Sequence, residues 1–154
     1  MSAVLRASGS NFDVDAFTSA TSLKIITSFR KGEPRTKKSR KLRSKSGLNI
    51  DVSDADFDNL KQQIDDTIRF FKEHEAELSK LRDSLGLEHM CVDFGAEIYP
   101  PGWSWFSFPH ELLLLAGKLR IDLDLSVYPT DPDQVEAPKI ASGEQDAAPN
   151  LGQA

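Results

Sequence analysis

Two segments near the end of the chain alternate apolar and polar residues, and this alternation restricts the fold more than any other feature. The apolar positions are Met90, Val92, Phe94, Ala96 and Ile98 in the first segment, and Leu119, Ile121, Leu123, Leu125 and Val127 in the second. Successive side chains of a strand point to opposite faces of a sheet. Each segment is therefore predicted to be a strand with one buried and one polar face, so the helices should cover a single side of the sheet.

The first third of the chain predicts three more strands and a short helix. Residues 3–8 are a candidate strand ending at Gly9, and residues 13–19 are a candidate helix with Asp13 placed to cap it. Residues 23–29 are rich in isoleucine and phenylalanine, and every second residue is apolar in 48–52. These last two segments predict a hairpin with a long tip.

Two further helices are predicted from helical spacing. Large apolar residues recur at mostly three- and four-residue intervals at Phe57, Leu60, Ile64, Ile68, Phe71, Leu78, Leu81 and Leu85. This pattern predicts one long helix that begins at Ser53 or Asp54 and ends at Gly86. Pro109 and Gly117 should bound a helix of about two turns through Leu112 to Leu115.

The order of these elements predicts the fold class. It is βαβ, then a strand followed by the long helix, then βαβ again. We therefore expect an α+β fold, a two-layer sandwich with a mainly antiparallel sheet, helices on one face and one long helix. Ferredoxin-like packing is the closest simple analogue.

Composition predicts one domain and a tail. Residues 1–129 form the predicted domain, which at about 130 residues buries a core without disulfides. In residues 130–154 the only apolar residues larger than alanine are Val135, Ile140 and Leu151, and proline and acidic residues are frequent. This composition predicts a disordered acidic tail.

Several classes of protein are excluded by what the chain contains. Its residues are 39% hydrophobic and 28% charged, as in soluble globular proteins. No run approaches the roughly 18 apolar residues of a membrane span. Cys91 is the only cysteine, which excludes an internal disulfide and a multi-thiolate zinc site. We expect a cytoplasmic protein with no membrane association and no cofactor.

Residues 30–47 contain a basic segment that is predicted to be an exposed, mobile loop. Residues 30–45 hold nine bases and one acid, a local charge of +8. The whole chain has a net charge of −5, so its other residues carry −13. The candidate polyanion-binding residues are Arg35, Lys37, Lys38, Arg40, Lys41 and Arg43. Three interpretations remain open: a solvated hairpin tip, docking on an acidic protein or on the chain's own acidic face, and nucleic-acid binding. The absence of aromatic residues from the segment and the charge of −13 elsewhere argue against nucleic acid.

Acidic residues and possible ligand atoms are predicted on the polar face of the two late strands. The acidic residues are Asp93, Glu97, Asp122 and Asp124. They could bind a divalent cation or act in acid–base chemistry, but an open surface favours solvated charge. Cys91 should point to the same face as a free thiol. No two of the three histidines have the spacing of metal ligands, so we predict no metal site and no catalytic residues.

Residues 99–108 form an aromatic segment that folding alone explains poorly. Five of its ten residues are aromatic, and prolines and a glycine keep its backbone out of the sheet. The candidate partner-binding residues are Tyr99, Trp103, Trp105 and Phe106. In the alternative interpretation, Trp105 and Phe108 fold inward and close one end of the core. We expect Trp103 to be more exposed than Trp105.

Three segments resemble a known family of small bacterial domains. They are the strand-to-glycine opening at residues 4–9, the turn Lys31-Gly32-Glu33-Pro34 within residues 30–35, and the closing strand at 119–129. The family is domain of unknown function 4279, and the resemblance covers residues 4–129. It implies a fold and a bacterial origin, and it implies no catalytic residues because the family has no settled activity.

Together these observations favour binding over catalysis. We expect a non-enzymatic protein-binding domain, an acidic module with an aromatic segment, of the kind that immunity proteins use to block a toxin. An acidic surface suits a target that itself binds nucleic acid. The alternative is nucleic-acid binding through residues 30–45, and a metal-dependent or hydrolytic enzyme ranks third.

Overall fold

The computed structural model describes residues 2–36, 38, 40–98 and 104–130. Within these residues the chain forms one five-stranded sheet and four helices, so the predicted α+β class is confirmed. In chain order the elements are β1 (Ala3–Gly9), α1 (Val14–Ala20), β2 (Ile25–Phe29), β3 (Ser46–Ser53), α2 (Leu60–Glu73), α3 (Glu75–Arg82), β4 (His89–Ile98), α4 (His110–Leu119) and β5 (Asp122–Pro129). The predicted tail after residue 130 lies outside the described residues.

The strands lie in the order β2-β3-β1-β4-β5. β1 is the central strand and pairs antiparallel with β3 and with β4, and β2 pairs antiparallel with β3. Since β3 lies between β1 and β2, the elements from β1 to β4 follow the split β-α-β-β-α-β order of ferredoxin-like packing, with α2 and α3 sharing the second helical position. α4 and β5 then add a strand parallel to β4 at one edge.

The core lies between the helices and one face of the sheet. Leu5, Ile50 and Val92 come from three neighbouring strands and are fully buried. They belong to the same apolar cluster as Phe71 of α2 and Leu112 of α4. The opposite face, which we call the open face, carries the alternate residues of each strand, so the predicted single-sided packing is confirmed.

The predicted long helix is wrong at its start, in its middle and at its end, which is Arg82 and not Gly86. Ser53 still belongs to β3, where its hydroxyl donates to Asp66 at 2.7 Å, and the helix begins only after Asn59, whose side chain accepts from the backbone N–H of Gln62. At His74 the backbone leaves helical geometry, with φ −113° and ψ 20°, and this divides α2 from α3.

Residues 54–59, predicted as helix, instead cross to the open face. Phe57 packs against Tyr128 there, with 5.2 Å between the ring centroids. Its ring covers Gly95 so closely that a Cβ at position 95 would lie 2.2 Å from it. Behind this contact, the buried side chain of Gln63 donates to the carbonyls of Gly95 and Asp56 at 2.8 and 3.0 Å and accepts from the N–H of Gly95 at 3.2 Å. Gln63 thereby fastens α2 to β4.

The last helix is longer than predicted. α4 passes through Gly117 and ends at Leu119. The next residue, Arg120, caps the helix and takes the left-handed conformation with φ 54°, which is usual for glycine. The alternating pattern begins at Leu119, but β5 consequently begins three residues later, at Asp122.

The basic segment continues the β2–β3 hairpin and is not an unpaired loop. The N–H of Gly32 donates to the Arg43 carbonyl and that of Arg43 to the Glu33 carbonyl, both at 2.8 Å. Pro34 and Leu42 form a bridge, and the N–H of Arg35 donates to the Lys41 carbonyl at 3.1 Å. The predicted long tip of the hairpin is thus partly paired through its backbone, which needs no apolar side chains. Exposure itself is as expected for most of the bases.

No helix in the described part of the chain has the length and apolar character needed to cross a membrane.

Candidate functional site

Residues 105–109, at the end of the aromatic segment, form one wall of a groove of about 610 Å³, which we call the Trp105 groove. The other wall is the start of α2 and the residues before it. The lining residues are Asp58, Asn59, Leu60, Lys61, Ile64, Asp65, Trp105, Phe106, Ser107 and Pro109. The groove thus combines apolar walls with two carboxylates and one ammonium group.

Trp105 is 76% exposed, so the alternative interpretation, in which it folds inward, is wrong for this residue. Exposure alternates along this extended segment: Trp105 and Ser107 are exposed, and Phe106 and Phe108 are half-buried. Phe108 does fold inward, with its ring centroid 5.6 Å from that of Phe94. Because alternate side chains point in opposite directions, Trp105 faces outward while Phe106 and Phe108 face inward. Tyr99 and Trp103, the other two aromatic candidates, lie outside the described residues.

Helix α4 exposes two further large apolar side chains. Leu113 is 51% exposed and Leu114 is 69% exposed. Leu114 also lines a second cavity of about 370 Å³ together with Lys72, His110, Glu111 and Leu115. The same helix buries Leu112 completely, so its apolar residues point to both sides and one side faces solvent.

The basic segment borders a cavity of about 370 Å³ on the other side of the molecule, at the hairpin. Three of the six candidate polyanion-binding residues line it, namely Arg35, Lys41 and Arg43. The guanidinium of Arg43 lies 4.2 Å from the centroid of the Phe29 ring, in a cation–π contact. Lys38 and Arg40 are exposed and are not among the residues lining this cavity, and Lys37 lies outside the described residues.

Lys45 ties the base of this hairpin to the rest of the sheet. Its ammonium lies 2.7 Å from the carboxylate of Glu88, and the N–H of Ser10 donates to the same carboxylate at 2.9 Å. These hydrogen bonds lower the pKa of Glu88 to about 2. Lys45 is thus engaged within the molecule.

The predicted acidic residues of the open face do lie on neighbouring strands. In the parallel pairing of β4 with β5, Asp93 is opposite Asp124 and Cys91 is opposite Asp122. Asp93 accepts from Arg6 at 2.9 Å and from the Ser126 hydroxyl at 2.7 Å. The face therefore carries partly compensated charge.

A cavity of about 330 Å³ on the open face brings together three different side chains with ligand atoms. His89 and Cys91 come from β4 and Asp124 from β5, and one ligand atom of each lies within 4.8 Å of the others. Cys91 is only 1% exposed, and burial, together with its hydrogen bond to Asp124, raises the pKa of its thiol to about 12. A thiol that stays protonated is a poor nucleophile.

The sequence analysis missed this cluster, although the spacing of two of its three residues already places them on one face of a strand. Residues two apart on a strand point to the same face, so His89 and Cys91 could have been paired from their spacing. Asp124 lies 33 residues further along the chain, and only the register of β4 with β5 brings it to the pair. The sequence analysis compared the spacing of the histidines with one another, whereas His89 lies beside a thiol and a carboxylate.

Comparison with known proteins identifies the family. No curated protein and no solved structure matches the chain. One family model, described as domain of unknown function (DUF4279), matches residues 1–130, which include every helix and strand described above. The chain therefore belongs to the DUF4279 family.

Proposed function

We propose that this protein is a non-enzymatic binding domain that recognises another protein through the Trp105 groove. The observation that carries the proposal is the exposure of Trp105, 76%, at the wall of a groove of about 610 Å³. Tryptophan is enriched among the residues that dominate binding energy at protein interfaces, because a rigid ring buries much area at little cost in side-chain entropy.

Exposed apolar residues on α4 support the same interpretation. Leu113 and Leu114 are both more than half exposed, and Leu114 borders a cavity of its own. Fully burying a leucine side chain stabilises a fold by roughly 1.5–3 kcal/mol. Leu113 and Leu114 lack much of this stabilisation because they are exposed. A surface with such residues close in sequence to an exposed tryptophan is typical of a partner-binding region.

Charge favours a basic partner. Outside residues 30–45 the net charge of the chain is −13, as derived above, and the Trp105 groove itself holds Asp58 and Asp65 against the single base Lys61. Complementary charge accelerates association and selects among partners. A toxin that acts on nucleic acid has such a basic surface, so the proposed role is immunity-like inhibition in a bacterial cytoplasm. The resemblance noted in the sequence supports the bacterial origin, and the free thiol of Cys91 suits a reducing compartment.

The test compares Trp105→Ala with wild type in binding and in stability. Immobilised wild-type protein captures the partner from the source cells, and calorimetry then measures Kd for the purified pair. We expect Trp105→Ala to weaken binding by on the order of 2 kcal/mol, about 30-fold. Its free energy of unfolding should change by less than about 1 kcal/mol, because little of the ring is buried.

Leu85→Ala is the matched control, since Leu85 is 92% exposed and does not line the groove. This variant should bind as wild type does. Equal affinities for wild type and Trp105→Ala would reject the groove as the binding surface. A loss of 3 kcal/mol or more in the stability of Trp105→Ala, the size expected for a core aromatic residue, would reject its role as an exposed anchor.

Nucleic-acid binding through the basic segment is the second candidate. The observation that favours it is the cavity shared by Arg35, Lys41 and Arg43. Each phosphate neutralised by a base steepens the dependence of affinity on salt. Replacing Arg35, Lys38, Arg40 and Lys41 by serine, with Arg43 kept for its contact with Phe29, should flatten that dependence in titrations with a DNA duplex. An unchanged slope would reject this candidate.

A further inference from the structure

The cluster on the open face combines three kinds of donor that a transition metal ion prefers. His89 offers an imidazole nitrogen, Cys91 a sulfur and Asp124 a carboxylate oxygen, and these atoms lie within 4.8 Å of one another. In tetrahedral zinc sites the bonds are about 2.0–2.3 Å long, so neighbouring ligand atoms are roughly 3.3–3.8 Å apart. The separation of up to 4.8 Å exceeds this distance by only about 1 Å, so the three side chains need to move closer together to bind one ion.

Burial and exposure within the cluster suit entry of an ion from solvent. Cys91 is buried, whereas His89 and Asp124 are exposed above it. All three line the cavity of about 330 Å³, whose other walls include Thr27, Asn49 and Arg43. An ion held by the three side chains would therefore keep a fourth coordination position facing the cavity.

We propose that His89, Cys91 and Asp124 form a binding site for a zinc-class ion, that is, Zn²⁺ or a divalent transition metal ion with the same ligand preferences. Sulfur and imidazole donors select such ions over Mg²⁺ and Ca²⁺, which prefer oxygen. The thiol proton leaves to solvent as the sulfur–metal bond forms. One thiolate, one carboxylate and one neutral imidazole then balance the two positive charges of the ion.

The charged residues around the cluster are arranged so that they would support a bound cation. Asp122 Oδ2 lies 3.6 Å from Nδ1 of His89, which places a carboxylate beside the imidazole. A carboxylate in this position commonly fixes the tautomer and orientation of a ligating histidine. Arg6, the nearest base on β1, is held by Asp93 at 2.9 Å, so its charge is already compensated. The proposal is independent of the Trp105 groove, which lies across the fold on the helical side.

Co²⁺ is the probe, because it replaces zinc and reports its ligands by absorption. The full chain, freed of metal and kept reduced without a thiol reagent, is titrated with CoCl₂. We expect one equivalent to bind with an intense thiolate-to-cobalt charge-transfer band in the near ultraviolet, and Zn²⁺ in stoichiometric amounts to abolish it. Mg²⁺ in large excess should leave the band unchanged.

Variants decide which residues bind the ion. Cys91→Ser should lose the charge-transfer band, and His89→Gln and Asp124→Asn, at exposed positions where folding is not at risk, should each bind Co²⁺ at least tenfold more weakly. His110→Gln is the matched control, since His110 is an exposed histidine outside the cluster. No band in the wild-type protein, the same band in Cys91→Ser, or equal affinities for wild type, His89→Gln and Asp124→Asn would each overturn the proposal.

Discussion

At the scale of single residues, the contact between Gly95 and Phe57 leaves no room for a larger side chain. A Cβ at position 95 would lie 2.2 Å from the Phe57 ring. We therefore expect Gly95→Ala to lower the free energy of unfolding by about 1–3 kcal/mol, the usual cost of overpacking. Denaturant titration measures the loss.

A second variant tests the cause of that loss. If the Phe57 ring is responsible, Gly95→Ala should cost less in a Phe57→Ala background than in wild type, since contacting residues are not additive. Gly117→Ala is the control, because nothing lies within 4 Å of a Cβ there and alanine favours a helix. An equal loss of stability on Gly95→Ala in wild type and in Phe57→Ala would mean that the alanine disturbs the β4 backbone and does not clash with the Phe57 ring.

Residue type predicts burial poorly where the chain leaves regular structure. Phe57 fits the helical stripe of α2 by spacing, yet it lies on the opposite face of the sheet because residues 54–59 are not helical. Trp105 was placed inside in the alternative interpretation because it lies near Phe106 and Phe108, but the alternation of exposure along residues 105–108 turns it outward. Both errors arise from backbone geometry that no local pattern indicates.

At the scale of elements, Gln63 joins α2 to β4 through two hydrogen bonds with Gly95, and a third binds the Asp56 carbonyl before the helix. Gln63→Met keeps the length of the side chain but removes its donors and acceptor. The carbonyls of Gly95, which is buried, and of Asp56 would then lose this partner. We expect a loss of about 1–3 kcal/mol in the free energy of unfolding, measured by denaturant titration.

Gln62→Met is the matched control for Gln63→Met. Gln62 is the exposed neighbour on the same helix, and its side chain donates to Asp66, also on that helix. This variant should lose no more than about 0.5 kcal/mol. Equal losses in the two variants would show that the joint between α2 and β4 does not depend on Gln63.

Strands were easier to predict than helix boundaries. The alternation in β4 and β5 reports burial of one face, and this is a property of the strand itself. The start of α2 is set instead by Asn59, which caps the helix, while Ser53 still belongs to β3 and its hydroxyl donates to Asp66 thirteen residues away. The interruption at His74 coincides with no glycine or proline, so spacing alone extends the helix through it. The candidate metal cluster likewise needs the register between two strands that are far apart in sequence.

At the scale of the whole molecule, acid should destabilise the fold partly through Glu88. Its pKa falls from 4.5 to about 2 because it accepts hydrogen bonds from Lys45 and Ser10. A pKa lowered by folding means that the unfolded chain binds the proton first. This contribution to stability is therefore complete above about pH 4.5 and is lost as the pH falls towards 2.

Glu88→Gln should make stability less dependent on pH in that range. Urea titrations between pH 5 and about 2 measure the free energy of unfolding, and the difference between wild type and Glu88→Gln should narrow as the pH falls. Glu73→Gln is the control, at an exposed glutamate on α2, and should follow wild type. A constant difference across the range would show that Glu88 does not contribute in this way.

Removing residues 131–154 should leave the fold intact. The family match ends at residue 130, and Thr130 completes the described structure by donating its N–H to the Ile98 carbonyl at 2.9 Å. The removed residues are poor in large apolar side chains, so they have little to contribute to a core. We expect the melting temperature to change by no more than a few degrees in calorimetry, and a larger fall would show that the tail stabilises the domain.

The central position of β1 in the sheet has a consequence for synthesis. β1 is made before either of the strands it pairs with, and its register partners begin at Ser46 on one side and His89 on the other. On the ribosome, Leu5 and its neighbours therefore lack one partner strand until β3 has emerged, and they lack the second, β4, until some eighty later residues have emerged. Contacts so distant in sequence form slowly, and an apolar strand that waits for its partners is exposed to aggregation. The nascent chain is thus most in need of a chaperone before β4 is complete.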